Sequence, residues 1–191
     1  MQNLGLFGGS FDPVHLGHLL VAQAAREELS LTRLVFIPAA QSPFKPDRRP
    51  TPAKERLRLL RLALCGQDWC EIDEQEIQRG GVSYSIDTVR DYTRRFSGHR
   101  LFYLIGADHV PKLPAWREAE ELARAVEFVA IARPGQAPAP FPAPFVGRML
   151  TGLPLGVSSS QIRQRVQTGL PIEHLVPAAV AEAIRNYRLY I

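Results

Sequence analysis

The stretch Gly8-Gly9-Ser10-Phe11-Asp12-Pro13-Val14-His15-Leu16-Gly17-His18, directly after the apolar run 4–7, constrains this chain more than any other. Read physically, a short buried strand ends in two glycines, turns sharply and opens a helix. Glycine lets the backbone come close to an oxyanion, and a helix start offers unpaired N–H groups and the positive end of a dipole. His15 and His18 are three apart, so both rings are expected on the same side of the first turn. The object implied is a cradle for phosphate with two imidazoles aimed into it.

Strand-like and helix-like runs alternate along the rest of the chain, which predicts an α/β fold: a parallel sheet with helices on both faces. Strands are expected at 4–7, 34–37, 71–77, 101–105 and 126–132, and helices at 16–29, 53–64, 85–96, 159–166 and 177–187. The 191 residues suit one domain with a small helical portion from about 158 onward. A proline-rich loop covers 39–52, and the Pro/Ala-rich stretch 134–144 reads as a surface loop. In such sheets ligands bind beyond the carboxyl ends of the strands. Those ends are 8–12, 38–45, 106–109 and 133–134, so Ser10, Asp12, Lys45, Gly106, Asp108 and Arg133 gather on one edge.

Composition excludes several classes. No stretch approaches the roughly 18 apolar residues of a membrane span, and no secretory signal is visible, so a cytoplasmic location is expected. The net charge of +4 is dispersed, mostly on arginines beside acids, as in Arg26-Glu27-Glu28, and no aromatic platform is interleaved with it. That argues against nucleic acid as a partner. Cys65 and Cys70 make neither a disulfide framework nor a zinc spacing and read as buried thiols. Asp12, His15 and His18 could be spaced for a metal, but Asp12 precedes Pro13 and lies outside the helix, so no protein-held metal is expected.

The string 8–18 closely resembles the G-G-[ST]-F-D-P-x-H-x-G-H form found in the HIGH superfamily of nucleotidyltransferases, a form typical of nicotinate mononucleotide adenylyltransferases. The resemblance runs nearly end to end, with further motifs in matching order. It implies a Rossmann-like doubly wound sheet, with Gly8, Gly9, Ser10, Phe11, Gly106 and Asp108 at ATP, and His15 and His18 on its phosphates. Pro38-Ala39-Ala40-Gln41-Ser42-Pro43-Phe44-Lys45 resembles the family's P-x-x-x-P-P-H-K loop, with Lys45 kept and Phe44 standing where the family has histidine. Ser83-Tyr84-Ser85-Ile86-Asp87-Thr88 resembles S-Y-T-x-D-T: Ser83 or Ser85 would cap a helix whose first amides, near Ser85, bind the nicotinate carboxylate. Trp116 would stack on the pyridine ring, and Arg117, where the family often has an aromatic residue, could pair with the carboxylate. Asp12 and Arg133 join the mononucleotide side. Val157-Ser158-Ser159-Ser160-Gln161-Ile162-Arg163 resembles the second family motif, I-S-S-T-x-I-R, an anion site closed by a guanidinium.

The implied reaction joins ATP and nicotinate mononucleotide to give deamido-NAD and pyrophosphate in NAD biosynthesis. No enzyme nucleophile is needed, and His15, His18, Lys45 and Arg163 would supply positive charge. Mg²⁺ would arrive on ATP, held by phosphates and water. Pantetheine-phosphate adenylyl transfer, the amidated mononucleotide as substrate, and a non-catalytic nucleotide binder stay as alternatives. A homo-oligomer also stays open, with 134–144 as either an interface or a mobile loop.

Overall fold

Six strands form one parallel sheet: β1 (Asn3–Gly9), β2 (Arg33–Pro38), β3 (Cys70–Ile72), β4 (Arg100–Gly106), β5 (Glu127–Ile131) and β6 (Gly147–Leu150). Their order across the sheet is β3-β2-β1-β4-β5-β6, every neighbouring pair parallel. This is the doubly wound, Rossmann-like order, and its connections reverse direction between β1 and β4. The computed structural model describes residues 2–44, 49–131, 139–152 and 155–191.

Both faces of the sheet are covered, which is why the central strands read as continuous apolar runs. Alternate side chains enter two cores. Phe7, Leu34, Phe36, Phe102, Leu104 and Val129 pack on one face with α1 (Leu16–Glu28), α2 (Ala53–Leu64), α6 (Ser159–Gln167) and α7 (Ala178–Asn186). Leu6, Val35, Ile37, Tyr103, Ile105 and Phe128 pack on the other with α4 (Ser85–Arg95) and α5 (Ala119–Ala125). Each such side chain contributes about 1.5–3 kcal/mol on leaving water.

Several expectations need correction. The run 71–77 is extended only through β3: Asp73 accepts a hydrogen bond from the Gln75 amide at 2.9 Å and turns the chain into α3 (Gln75–Arg79). The strand β6 escapes a sequence reading because its four residues, Gly-Arg-Met-Leu, are too short to show a period. Residues Ala107–Ala115 form a 3-10 helix containing Pro111 and Pro114, which remove the donors a longer α-helix needs. Cys65 is exposed and Cys70 half-buried, so the expectation of buried thiols fails for Cys65. No helix among the described residues is long and apolar enough to cross a membrane.

Candidate active site

At the reversal point, the ends of β1 and β4 open a cavity of about 490 Å³. Gly8 and Gly106 line its floor, and a side chain at either position would collide. An added Cβ would meet the Tyr103 hydroxyl at 2.6 Å from Gly8 and the Asp108 Oδ1 at 2.6 Å from Gly106. From Gly9 the chain turns through Phe11, which is buried and holds φ at 45°, a left-handed conformation costly for a bulky residue. Phe11 is kept there by its ring, which meets Phe7 edge-on at 5.4 Å and His18 at 5.1 Å. Strain held by packing in this way collects at ligand-binding turns.

His15 caps α1 and His18 sits in its first turn. Their rings stack at 3.7 Å with 24° between planes, and the His15 amide donates to His18 Nδ1 at 3.2 Å. Both line the cavity, side by side as the spacing of three requires. Gly17 makes room: a Cβ there would meet the His15 ring at 3.1 Å and Val157 at 3.0 Å.

Across the cavity, Ser158 caps α6 in a capping box with Gln161. Ser158, Ser159, Ser160 and Arg163 all face the same space. The Ser159 hydroxyl donates to the Pro13 carbonyl at 2.9 Å, while Arg163 donates to the Asp12 carbonyl and, at 2.8 Å, to the Ser160 hydroxyl. Two segments far apart in sequence thus form one wall. Asp12, Gly8, Ser10, Phe11 and Asp108 also line the cavity; Gly9 lies behind it, its carbonyl accepting from the Ala39 amide at 2.9 Å.

Of the residues expected at the mononucleotide, Asp12 lines this cavity and Trp116 sits in an aromatic group beside it. Trp116 contacts the rings of Phe44 at 5.6 Å, His109 at 5.9 Å, Phe128 at 6.0 Å and Tyr103 at 6.3 Å. Its indole Nε1 is buried without a hydrogen-bond partner among the described residues. Neither Ser83 nor Ser85 caps α4; the cap position is Tyr84. Ser83 instead accepts from the Ala40 amide at 2.9 Å, and Ser85 accepts from the Tyr103 hydroxyl at 2.9 Å. Burial, with Glu76 nearby, pushes the Tyr103 phenol up, so it stays a donor. Arg117 does not point into the cavity. Its guanidinium lies 4.6 Å over the Tyr84 ring and 3.7 Å from Glu118, beside the start of α4. Lys45 and Arg133 lie outside the described residues.

Two residues at the site lie outside the sequence motifs: His109, which lines the cavity, and Arg56 behind it. Arg56 on α2 is 1% exposed, and its Nη1 donates to the Ser10 carbonyl at 2.8 Å and its Nε to the Thr51 carbonyl at 2.9 Å. It holds the glycine turn from behind. Burial lowers its hold on the proton, and Asp12 opposes that. The signal was present: Arg56 falls on the same helical face as Leu60 and Leu64, a charge inside an apolar stripe. Burial and the Asp12 carboxylate likewise push the Tyr190 phenol up.

A doubly wound sheet with a glycine edge, stacked histidines and a serine-arginine helix start at its reversal point defines a nucleotide-handling α/β enzyme site. In agreement, residues 6–165 match the cytidylyltransferase-like family model. A probable nicotinate-nucleotide adenylyltransferase of Opitutus terrae is 38% identical over 192 residues, spanning 99% of this chain and 98% of its own length. One of Gemmatimonas aurantiaca is 43% identical over 196 residues, spanning 99% and 92%. The chain belongs to the nicotinate-nucleotide adenylyltransferase family. Its fold is shared by the Plasmodium falciparum nicotinic acid mononucleotide adenylyltransferase complexed with NaAD, at TM-score 0.81 and 16% identity over 100% of this chain and 98% of that one.

Proposed function

We propose that this chain transfers the adenylyl group of ATP to nicotinate mononucleotide, releasing pyrophosphate and forming deamido-NAD. The observation that carries this reading is the single cavity into which the glycine edge of β1, the stacked His15 and His18, and the α6 start with Arg163 all open. Family membership supplies the substrate pair.

A phosphate oxygen of the mononucleotide attacks the α-phosphorus of ATP in line. The new P–O bond forms as the bond from the α-phosphorus to the α,β-bridging oxygen breaks, and pyrophosphate leaves with the electron pair. No side chain becomes covalently attached. The protein positions two anions and offsets charge as phosphorus becomes five-coordinate. His15, His18 and Arg163 do this from the cavity walls, with Lys45 assigned the same task from the 39–52 loop. Gly8, Ser10 and Phe11 give the triphosphate its close approach, with Gly9 shaping the turn behind them; Ser158, Ser159 and Ser160 offer hydroxyls and helix-start amides, and Asp108 meets a ribose hydroxyl. Trp116, Ser85 and Arg117 take the pyridine end, with Asp12 and Arg133 on the same side.

Mg²⁺ fits as an ion carried by ATP. Bound mainly by phosphate and water, it would enter the cavity with the nucleotide. It would neutralise phosphate charge. A cytoplasmic location belongs to the same proposal.

Pyrophosphate release tests the reading, with Mg²⁺-ATP and, separately, nicotinate mononucleotide, nicotinamide mononucleotide and phosphopantetheine. Release with nicotinate mononucleotide well above the other two is expected. Release with phosphopantetheine alone would refute the roles of Trp116 and Ser85; ATP binding without release from any would leave a nucleotide-binding module.

A further inference from the structure

Position 44, where the resembled loop motif carries histidine, is Phe44 here, with 47% of its surface exposed. Its ring lies 5.0 Å from the imidazole of His109. His109 follows Asp108 in the 3-10 helix that continues from β4, and it lines the phosphate cavity together with His15, His18 and Arg163. The same imidazole meets Trp116 at 5.9 Å, nearly perpendicular at 79°. His109 therefore belongs to both ends of the cleft: one boundary of its ring is the phosphate cavity, the other the aromatic group.

Nicotinate mononucleotide is a ring at one end and a phosphate at the other. Once its ring is placed at Trp116, its phosphate must enter the cavity by way of this junction to reach ATP. Imidazole carries at least one N–H donor whether neutral or protonated, so it can serve a phosphate oxygen in either state. We propose that His109 binds the attacking phosphate of the mononucleotide and supplies, from the sheet edge, the imidazole that the loop lacks at Phe44. The proposal rests on the adenylyl-transfer reading above. Asp108, whose carboxylate lies 3.9 Å from His109 Nε2, limits how the ring can turn. Phe44 serves as its packing partner.

A purely packing role predicts something different, and His109→Phe separates the two because it keeps a ring and removes the donor. Steady-state kinetics on the full chain with Mg²⁺-ATP and nicotinate mononucleotide supply the readout. For His109→Phe, KM for the mononucleotide should rise about tenfold or more, the worth of a hydrogen bond to a charged group, with KM for ATP within about twofold. His109→Asn, which retains a donor, should recover part of that loss. The double variant Phe44→His/His109→Phe should recover more, by returning the imidazole to the loop. An unchanged mononucleotide KM in His109→Phe, an equal rise for both substrates, or a double variant no better than the single would each overturn the assignment. If His109→Phe does not fold, His109→Met carries the same comparison. A wild-type chain that releases no pyrophosphate with this substrate would fail in the control arm, striking the reading of the reaction before any variant is compared.

Discussion

At the phosphate end of the cleft, Arg56, Ser159 and Arg163 bond to main-chain carbonyls of Ser10, Pro13 and Asp12; at the aromatic end, Phe44, His109 and Trp116 meet one another as rings. The first end is shaped by backbone, so within each of its two segments the requirements fall on short local motifs: glycines where a Cβ would collide, histidines three apart, a serine at a helix start. The second is assembled from side chains on two segments, the 39–52 loop and the 3-10 helix with its exit residue Trp116. Ring contacts constrain shape and polarisability more than identity, so a phenylalanine can stand where a histidine is usual. Change at the first end should strike rate and stability, and change at the second should strike recognition of one substrate.

The largest effect is expected from His18→Ala. Loss of one preorganised charge-stabilising group costs about 10²–10³ in kcat. The fold should persist with a modest drop in melting temperature, since the ring also accepts from the His15 amide and packs on Phe11; a variant with near-normal turnover would remove His18 from the chemistry.

Arg56→Met comes next and tests whether the phosphate end is held from behind. Two carbonyls lose a buried donor and Asp12 loses a neighbouring cation, which costs about 3 kcal/mol of stability. Denaturant unfolding would show a lower midpoint at unchanged slope. An unaltered midpoint would mean that the glycine turn holds its shape without Arg56.

For Trp116→Ala, loss of stacking worth about 1–3 kcal/mol should raise KM for nicotinate mononucleotide roughly tenfold or more while sparing ATP. Equal losses for both substrates would erase the distinction between the two ends.

The smallest effect concerns Glu76, which lies beneath α4 and accepts from the Thr88 hydroxyl at 2.6 Å. Burial raises its pKa above the ordinary 4.5, against the hydrogen bonds from Thr88 and Ser83. The folded chain thus holds this proton more tightly than the unfolded one, so stability falls as pH rises from the ordinary value through the raised one, then levels. Glu76→Gln keeps an acceptor for Thr88 and should remove that slope from the melting profile. A slope that persists would assign it to another group.

How much of this was legible follows from the same contrast. The β1–turn–α1 unit and the α6 start could be read because each demand, close approach, cap or shared helical face, names a residue type at a fixed spacing. The left-handed φ of Phe11 could not, since nothing local asks for it; ring packing from Phe7 and His18 imposes it. Residue type suggests Ser85 as a cap, yet the cap position is Tyr84 and the Ser85 hydroxyl accepts from Tyr103, a strand residue eighteen positions on. Arg117 is singled out by residue type alone; its contacts with Tyr84 and Glu118, which set its position beside the start of α4, are not legible in the sequence. His109 passed as an ordinary strand end because its significance lies in meeting Phe44, 65 positions back in the chain.

The bonds from Ser159 to Pro13 and from Arg163 to Asp12 join residues 146 and 151 positions apart. Gly17, with Val157 pressed against the place its Cβ would occupy, belongs to the same seam. A ribosome delivers the first half of this wall early and the second only after β6 has emerged. Until then a nascent chain carries the glycine turn and both histidines, yet lacks the guanidinium and hydroxyls that face them. Competence to bind nucleotide should therefore arrive late and abruptly during synthesis, as one step rather than by degrees.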